Sequence, residues 1–304
     1  MTLLTLQDKL AATATATAPI ISNESLNVSL LTDLDEAEVL DFFSARPIHT
    51  VFMAGFIRDN GIVSPFNRGT FYACRDSLGR LEGVALIGHA TLVEARTDEA
   101  MAAFANLAQK CGPAHIIIGE ELKIERFWRH YSEAGCAPRL ICRELLLEQR
   151  WPVENFDEIE ALRPATLNDL GHVVSAHAAL AREEIGVNPL LVDPIGFRLR
   201  TARRIAQGRV WILIEDNKLI FKADIVSDTP DVIYLEGVYV NPDERGKGYA
   251  SRCLMKMGHN LLSRSMSISL LVNENNTAAL AVYRKAGFQL RSYYNSIFLQ
   301  EPTS

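Results

Sequence analysis

Arg245-Gly246-Lys247-Gly248-Tyr249-Ala250 joins an apolar run at residues 232–240 to a helix-like segment at residues 249–262. A strand that turns through two glycines into a helix leaves the first-turn backbone N–H groups without intrahelical partners. Those donors, at the positive end of the helix dipole, make a place for an anion. Glycine at 246 and 248 and alanine at 250 keep side chains out of the way, so a diphosphate can approach the backbone. Arg245 and Lys247 add fixed positive charge. The stretch predicts a loop that holds a phosphorylated cofactor.

Two familiar phosphate loops do not fit. A P-loop needs Ser or Thr after its lysine, and Gly248 follows Lys247. A dinucleotide turn needs a third glycine where Ser251 stands, and an acidic residue at the end of the next strand. That strand, residues 267–272, has none before Glu274.

A third pattern does fit. Arg-x-x-Gly-x-Ala at 245–250, preceded by Val238-Tyr239-Val240-Asn241-Pro242, resembles the acetyl-CoA loop of GCN5-related N-acetyltransferases (GNAT). The second half of that signature lies downstream as Val272-Asn273, Asn276, Ala279, Tyr283, Lys285, Gly287 and Phe288. Arg163-Pro164-Ala165-Thr166 resembles a frequent opening of such domains, so the resemblance covers about residues 163–299. It implies a mixed α/β sheet flanked by helices, with two parallel strands that splay to admit the cofactor arm. It also implies acetyl-CoA as acyl donor, with Val238, Tyr239, Val240, Arg245, Gly246, Lys247, Gly248, Tyr249, Ala250, Asn276 and Tyr283 as its binding residues.

The first half repeats the order of elements less clearly. Strands are expected at residues 28–31, 70–74, 81–92 and 115–118, and helices at 34–43, 97–109 and 124–133. Tyr131-x-x-Ala134-Gly135-Cys136 and Arg139 echo Tyr283-x-x-Ala286-Gly287-Phe288 and Arg291 at the same place in both orders. Two tandem GNAT-like domains follow: a flexible leader at 1–25, a degenerate copy at 26–150 and an acetyltransferase domain at 151–304. The first copy is degenerate because Val93-Glu94-Ala95-Arg96 carries no glycine before its helix, so it cannot cradle a diphosphate in the same way.

In the second copy a short strand is expected at residues 158–163 and helices at 168–185 and 189–206. A hairpin follows at 209–215 and 219–226 around Asp216-Asn217. After the phosphate loop come a strand at 268–272, a helix at 276–286, and two closing strands at 288–291 and 296–299.

Composition bounds the partners. Hydrophobic residues make up 48% of the 304 and charged residues 22%, as in globular chains, and the net charge is −6. That acidic balance argues against nucleic acid or an anionic membrane as partner and favours an amine, small or peptidic. The five cysteines form no C-x-x-C pair, which suits reduced thiols in a cytoplasmic protein, and no apolar run is long enough to span a bilayer.

Acetyl transfer needs an uncharged amine, a stabilised oxyanion and a proton for the departing thiolate. Glu236 lies on the strand leading to the loop, amid Leu235 and Val238, where partial burial suits a general base. The resemblance implies Tyr283 as general acid, and a phenol titrating near ~10 matches a leaving thiolate. Packing of the aromatic is the plainer role for it. Backbone amides near Val240 would hold the oxyanion if a bulge aims them. Asn276 is placed to cap the Tyr283 helix. Glu184, at the end of the first helix, is the candidate contact for a substrate ammonium. His172 and His177 are spaced too poorly for a zinc site, and no metal is expected. The expected activity is acetyl-CoA-dependent N-acetyl transfer (an acyltransferase) by direct attack of the amine; the alternative is a non-catalytic CoA-binding sensor or scaffold.

Overall fold

The computed structural model describes residues 21–23, 26–112, 114–134, 137–154, 156–157 and 159–299. The expected leader, apart from residues 21–23, and Gly135 and Cys136 of the internal echo lie outside the described residues. In chain order the first elements are β1 (Ile21–Asn23), β2 (Leu26–Leu30), α1 (Glu36–Ser44), α2 (Pro47–Asn60), β3 (Gly69–Asp76) and β4 (Leu81–Gly88). Next come β5 (Ala90–Ala95), α3 (Asp98–Ala108), β6 (Ile116–Glu120), α4 (Glu121–Tyr131) and β7 (Pro138–Gln149). They are followed by β8 (Arg163–Pro164), α5 (Leu170–Ile185), α6 (Pro189–Val192), α7 (Pro194–Ala206), β9 (Val210–Glu215) and β10 (Lys218–Asp228). The last are β11 (Val232–Val240), α8 (Tyr249–Leu262), β12 (Ser267–Asn273), α9 (Thr277–Lys285) and β13 (Gln289–Leu299).

The described residues divide into two compact units, one holding those up to Leu145 and from Ser292 onward, the other running from Leu146 to Arg291. In the first unit the strand order is β1-β2-β3-β4-β5-β6, followed by β13, whose residues from Tyr294 to Phe298 pair antiparallel with Glu120 to Ile116. In the second it is the end of β7 (residues 146–149), then β12-β11-β10-β9-β8. Each unit contains a parallel pair, β5/β6 and β11/β12, and each pair is bridged by a helix, α3 or α8. The same mixed α/β plan is present twice.

Local chemistry explains the elements that carry the second unit. Asp216 and Asn217 take left-handed backbone angles (φ 48° and 59°) and close the β9/β10 hairpin tightly. In α8 the residues Cys253, Leu254, Met257 and Leu261 recur at helical spacing and are all buried. Around β9 to β11 the core joins Val173 and Ala176 of α5 to Val210, Ile212 and Tyr239. In the first unit Phe104, Ile117 and Phe127 pack in one cluster with Ile297 and Leu299 of β13.

The structure departs from expectation where apolar runs lack punctuation. Residues 81–92 are two strands, reversing at Gly88-His89, with β5 continuing to Ala95. A Cβ on Gly88 would lie 2.4 Å from Gly69 Cα, so only glycine admits this close approach. Of the strand expected at 158–163 only Arg163 is in one, the two-residue Arg163–Pro164, whose place at the sheet edge tolerates a proline; residue 158 lies outside the described residues. The two closing strands are one, because Ser292-Tyr293-Tyr294-Asn295 contains neither glycine nor proline and its tyrosines favour extended backbone. Helix α2 and strand β7 were not anticipated. Pro47 and Gly61 (φ 79°) punctuate α2, but Ile48, Thr50, Val51 and Ile57 mask it as β-like, and burial of Val51, Phe52, Met53 and Ile57 decides the outcome. Among the described residues no helix is long and apolar enough to cross a membrane.

Candidate active site

The parallel ladder between β11 and β12 is short. Val232, Ile233 and Tyr234 pair with Ser267, Ile268 and Ser269, and the pairing then stops although both strands continue. Just past the ladder the Leu271 N–H donates to the Tyr234 hydroxyl (3.0 Å), so a side chain satisfies that amide. On its other side β11 carries a bulge. The register passes from Lys222 opposite Tyr239 to Asp224 opposite Glu236, so Gly237 and Val238 together face Ala223. Gly237 adopts φ +59°, a left-handed conformation that favours glycine. The bulge anticipated near Val240 therefore sits at Gly237-Val238.

Beyond β11 the glycine turn leads into α8. Gly246 (φ +80°) and Gly248 (φ +81°) are both left-handed, and a Cβ on either would meet no atom within 4 Å. Backbone conformation fixes glycine here, and the space beside it is open. Gly248 is the N-cap and offers no side-chain oxygen, and the Arg252 N–H to Gly248 carbonyl bond (3.3 Å) opens the helical ladder. The amides of Tyr249, Ala250 and Ser251 thus belong to the turn that has no intrahelical acceptor. This arrangement fits a diphosphate: open space, a glycine backbone and helix-start donors. Its nearby cations are engaged with acids. Arg245 donates to both Glu183 carboxylate oxygens (3.0 and 2.8 Å) and to the Val240 carbonyl (3.2 Å), while Lys247 pairs with Glu244 (2.7 Å). The Arg245 guanidinium, donating to Glu183, holds that carboxyl below its ordinary range. Tyr249 donates to Glu215 (3.0 Å). Val238 and Val240 are half-buried, and the Tyr239 ring belongs to the core with Val173 and Val210.

Glu236 is half-buried and stands opposite Asp224, so the two carboxylates share one face of the sheet. A charged cluster lies on that face. The fully buried Lys222 ammonium is 2.6 Å from Asp224 Oδ2, His177 Nε2 of α5 is 2.9 Å from it, and an Arg204 nitrogen of α7 is 3.4 Å away. Burial would raise the Asp224 carboxyl, but His177, Lys222 and Arg204 outweigh it and hold it well below the carboxylate range. Burial pushes the His177 imidazole down to about 4; Asp224 opposes this and Lys222 and Arg204 reinforce it. A Cβ on Gly237 would lie 2.9 Å from both Lys222 Nζ and Asp224 Oδ2, so the cluster sits directly beneath the bulge. Sequence reasoning missed this cluster. Its signal was Lys222 and Asp224 alternating within the apolar run 219–226, since charges in a buried strand must find partners.

Tyr283, on α9, is 8% exposed and packs edge-on against Phe288 with centroids 5.8 Å apart. Asn276 caps α9 by accepting the Ala279 N–H (3.1 Å). Glu184 falls in the last turn of α5, and its side chain lies outside the described residues. His172 is half-buried and within 3.1 Å of the Asn217 carbonyl, apart from His177's partners, and no group of metal-binding side chains occurs among the described residues. In the first unit, α3 starts differently. Thr97 caps it by accepting the Ala100 N–H (3.2 Å), and Asp98 and Glu99 occupy its first turn. An oxygen and two carboxylates already answer that helix end, which disfavours a phosphate.

Residues 184–288 match the Acetyltransferase (GNAT) family. Solved structures share the fold across nearly the whole chain. A tandem GNAT protein from the clavulanic acid biosynthesis pathway is 13% identical, covering 92% of this chain and all of its own (100%), with a TM-score of 0.56. A GCN5-related N-acetyltransferase from Sphaerobacter thermophilus is 13% identical over 92% of this chain and 97% of that one (TM-score 0.56). A Drosophila protein is 9% identical over 91% and 99% (TM-score 0.65). No curated protein matches this chain in sequence.

Proposed function

We propose that the second unit, whose residues 184–288 match the Acetyltransferase (GNAT) family, binds acetyl-CoA and transfers the acetyl group to a primary amine by direct attack. One observation carries this reading: the β11/β12 ladder opens after Tyr234 on the same strand that runs into an uncapped, glycine-lined helix start. The backbone from Gly246 to Ala250 would hold the diphosphate, with Asn276 and the Val238–Val240 main chain along the cofactor arm. Arg245 and Lys247 would exchange Glu183 and Glu244 for phosphate oxygens. Bound there, acetyl-CoA supplies an activated thioester.

The chain's own residues do the rest. Glu236 takes the proton of the incoming ammonium, directly or through a water, and its opposite number Asp224 keeps its own charge on Lys222 and His177. Amides at the Gly237-Val238 bulge stabilise negative charge growing on the carbonyl oxygen. Tyr283 returns a proton to the departing sulfur. Glu184 is the proposed contact for the acceptor, a small or peptidic amine. A panel of amines assayed for free thiol across pH tests this. Thiol release that rises with pH and is lost in Glu236→Gln supports it.

A second reading is a CoA-binding module without turnover, which the packed, nearly buried Tyr283 favours. Tight acetyl-CoA binding with no thiol released from any amine would select it.

A further inference from the structure

In the first unit the parallel ladder also opens early. Only Ala90–Ile116 and Thr91–Ile117 pair, while β5 runs on to Ala95 and β6 to Glu120. Glu94 stands four residues beyond the first pair of this ladder, as Glu236 stands four beyond Val232 in the other. The β4/β5 register is unbroken from Gly83–Ala95 to Leu86–Leu92, so this copy has no bulge there. It keeps the gap and the glutamate while lacking the bulge and the phosphate cradle.

The gap is a narrow cleft open to solvent, about 380 Å³ only when the solvent space at its mouth is included. Glu94, Glu120 and Lys123 line it together with the apolar walls of Phe52, Met53 and Leu92. Arg46 donates to Glu94 (3.0 Å) and to Glu120 (2.7 Å), and Lys123 bonds Glu94. His49 Nδ1 is 3.0 Å from the buried Tyr294 hydroxyl. Burial keeps that imidazole low and that phenol high, so both are neutral. Burial would raise Glu120, but Arg46 outweighs it and holds the carboxylate ionised. The charges balance: two carboxylates against a guanidinium and an ammonium.

We propose that this cleft binds a small zwitterion with an apolar side chain, as an α-amino acid is, through Glu120 on its ammonium and Arg46 and Lys123 on its carboxylate. A ligand with a single charge would leave one member of a neutral, partly desolvated set uncompensated. A zwitterion exchanges ion pairs one for one, and Phe52, Met53 and Leu92 receive its side chain. Arg46, Glu120 and Lys123 have side chains 33%, 26% and 21% exposed, so the exchanging groups are reached from solvent while Glu94 anchors the floor at 9%.

The test is calorimetric titration of the full chain with leucine and phenylalanine, each beside its N-acetyl derivative and its carboxamide. The parent compounds are expected to bind with millimolar or better affinity and both derivatives at least about tenfold more weakly. Glu120→Gln and Lys123→Met should each weaken the parent at least about tenfold, while Gly248→Asp and Glu236→Gln, both in the other unit, leave binding in place. Absence of binding at 10-fold above ~1 mM, a range set by the affinity scale, would mean that the ion network only stabilises the fold. Equal binding of the derivatives overturns the proposal from the wild-type chain alone, should a variant fail to fold. Retention of full affinity in both cleft variants, or its loss in Glu236→Gln, overturns it as well.

Discussion

Replacing Asp224 with alanine removes the carboxylate on which Lys222, His177 and Arg204 converge. Lys222 is fully buried and its ammonium is 2.6 Å from Asp224, so the change strands a cation in a place water does not reach. Breaking a buried pair from one side costs about 3–5 kcal/mol, because the remaining charge must shed its proton or draw in water. Arg204, 21% exposed, can turn to solvent and recover part of that, which puts the expected loss near 3 kcal/mol. Urea unfolding at pH 7, followed by circular dichroism, measures it. Lys222→Met combined with Asp224→Leu removes both charges and should regain most of the stability. The same pair lies beneath Gly237, so the double variant should still lower kcat while leaving acetyl-CoA affinity nearly unchanged. A loss under ~1 kcal/mol in Asp224→Ala, well short of the buried-pair range, would refute the claim that the pair is energetically buried.

Gly248→Asp and Gly248→Asn both suit the left-handed backbone, so their difference isolates charge: the aspartate should bind CoA about 10- to 100-fold more weakly, as calorimetry at low salt will show. Tyr283→Phe should lower kcat about 10- to 1000-fold with little change in cofactor affinity, and a wild-type rate would leave Tyr283 with packing alone. His177 has a folded pKa of about 4, below the ordinary histidine value, so the unfolded chain binds the extra proton between those limits. Its share of stability is therefore complete above pH ~6.5 and drains away as pH falls toward 4, by up to about 3 kcal/mol. The contribution of Asp224, depressed below the carboxylate range, is lost only at still lower pH. Unfolding free energies across pH 4–7 for wild type and His177→Gln check the sign, and the variant's slope should be shallower.

The second unit was legible where local signals agree. Residues 232–240 and 249–262 form the strand and helix expected, because a proline, two glycines and a change of period punctuate them. The cap at Asn276 was equally readable, since an asparagine before a helical run has one obvious acceptor role. Long-range pairings were not. Nothing near Arg245 in sequence announces Glu183, which lies 62 residues away, and His177 finds Asp224 across 47. The continuation of β13 into the first unit's sheet was hidden for the same reason: Ile297 and Leu299 alternate correctly for any sheet, and only tertiary packing chooses which.

The most direct measurement is a crystal structure of the chain grown with acetyl-CoA. The diphosphate is expected against the amides from Gly246 to Ala250 and the thioester between β11 and β12, beside Gly237 and Glu236. Density for the nucleotide at the Thr97 end of α3, or anywhere away from the α8 turn, would contradict it.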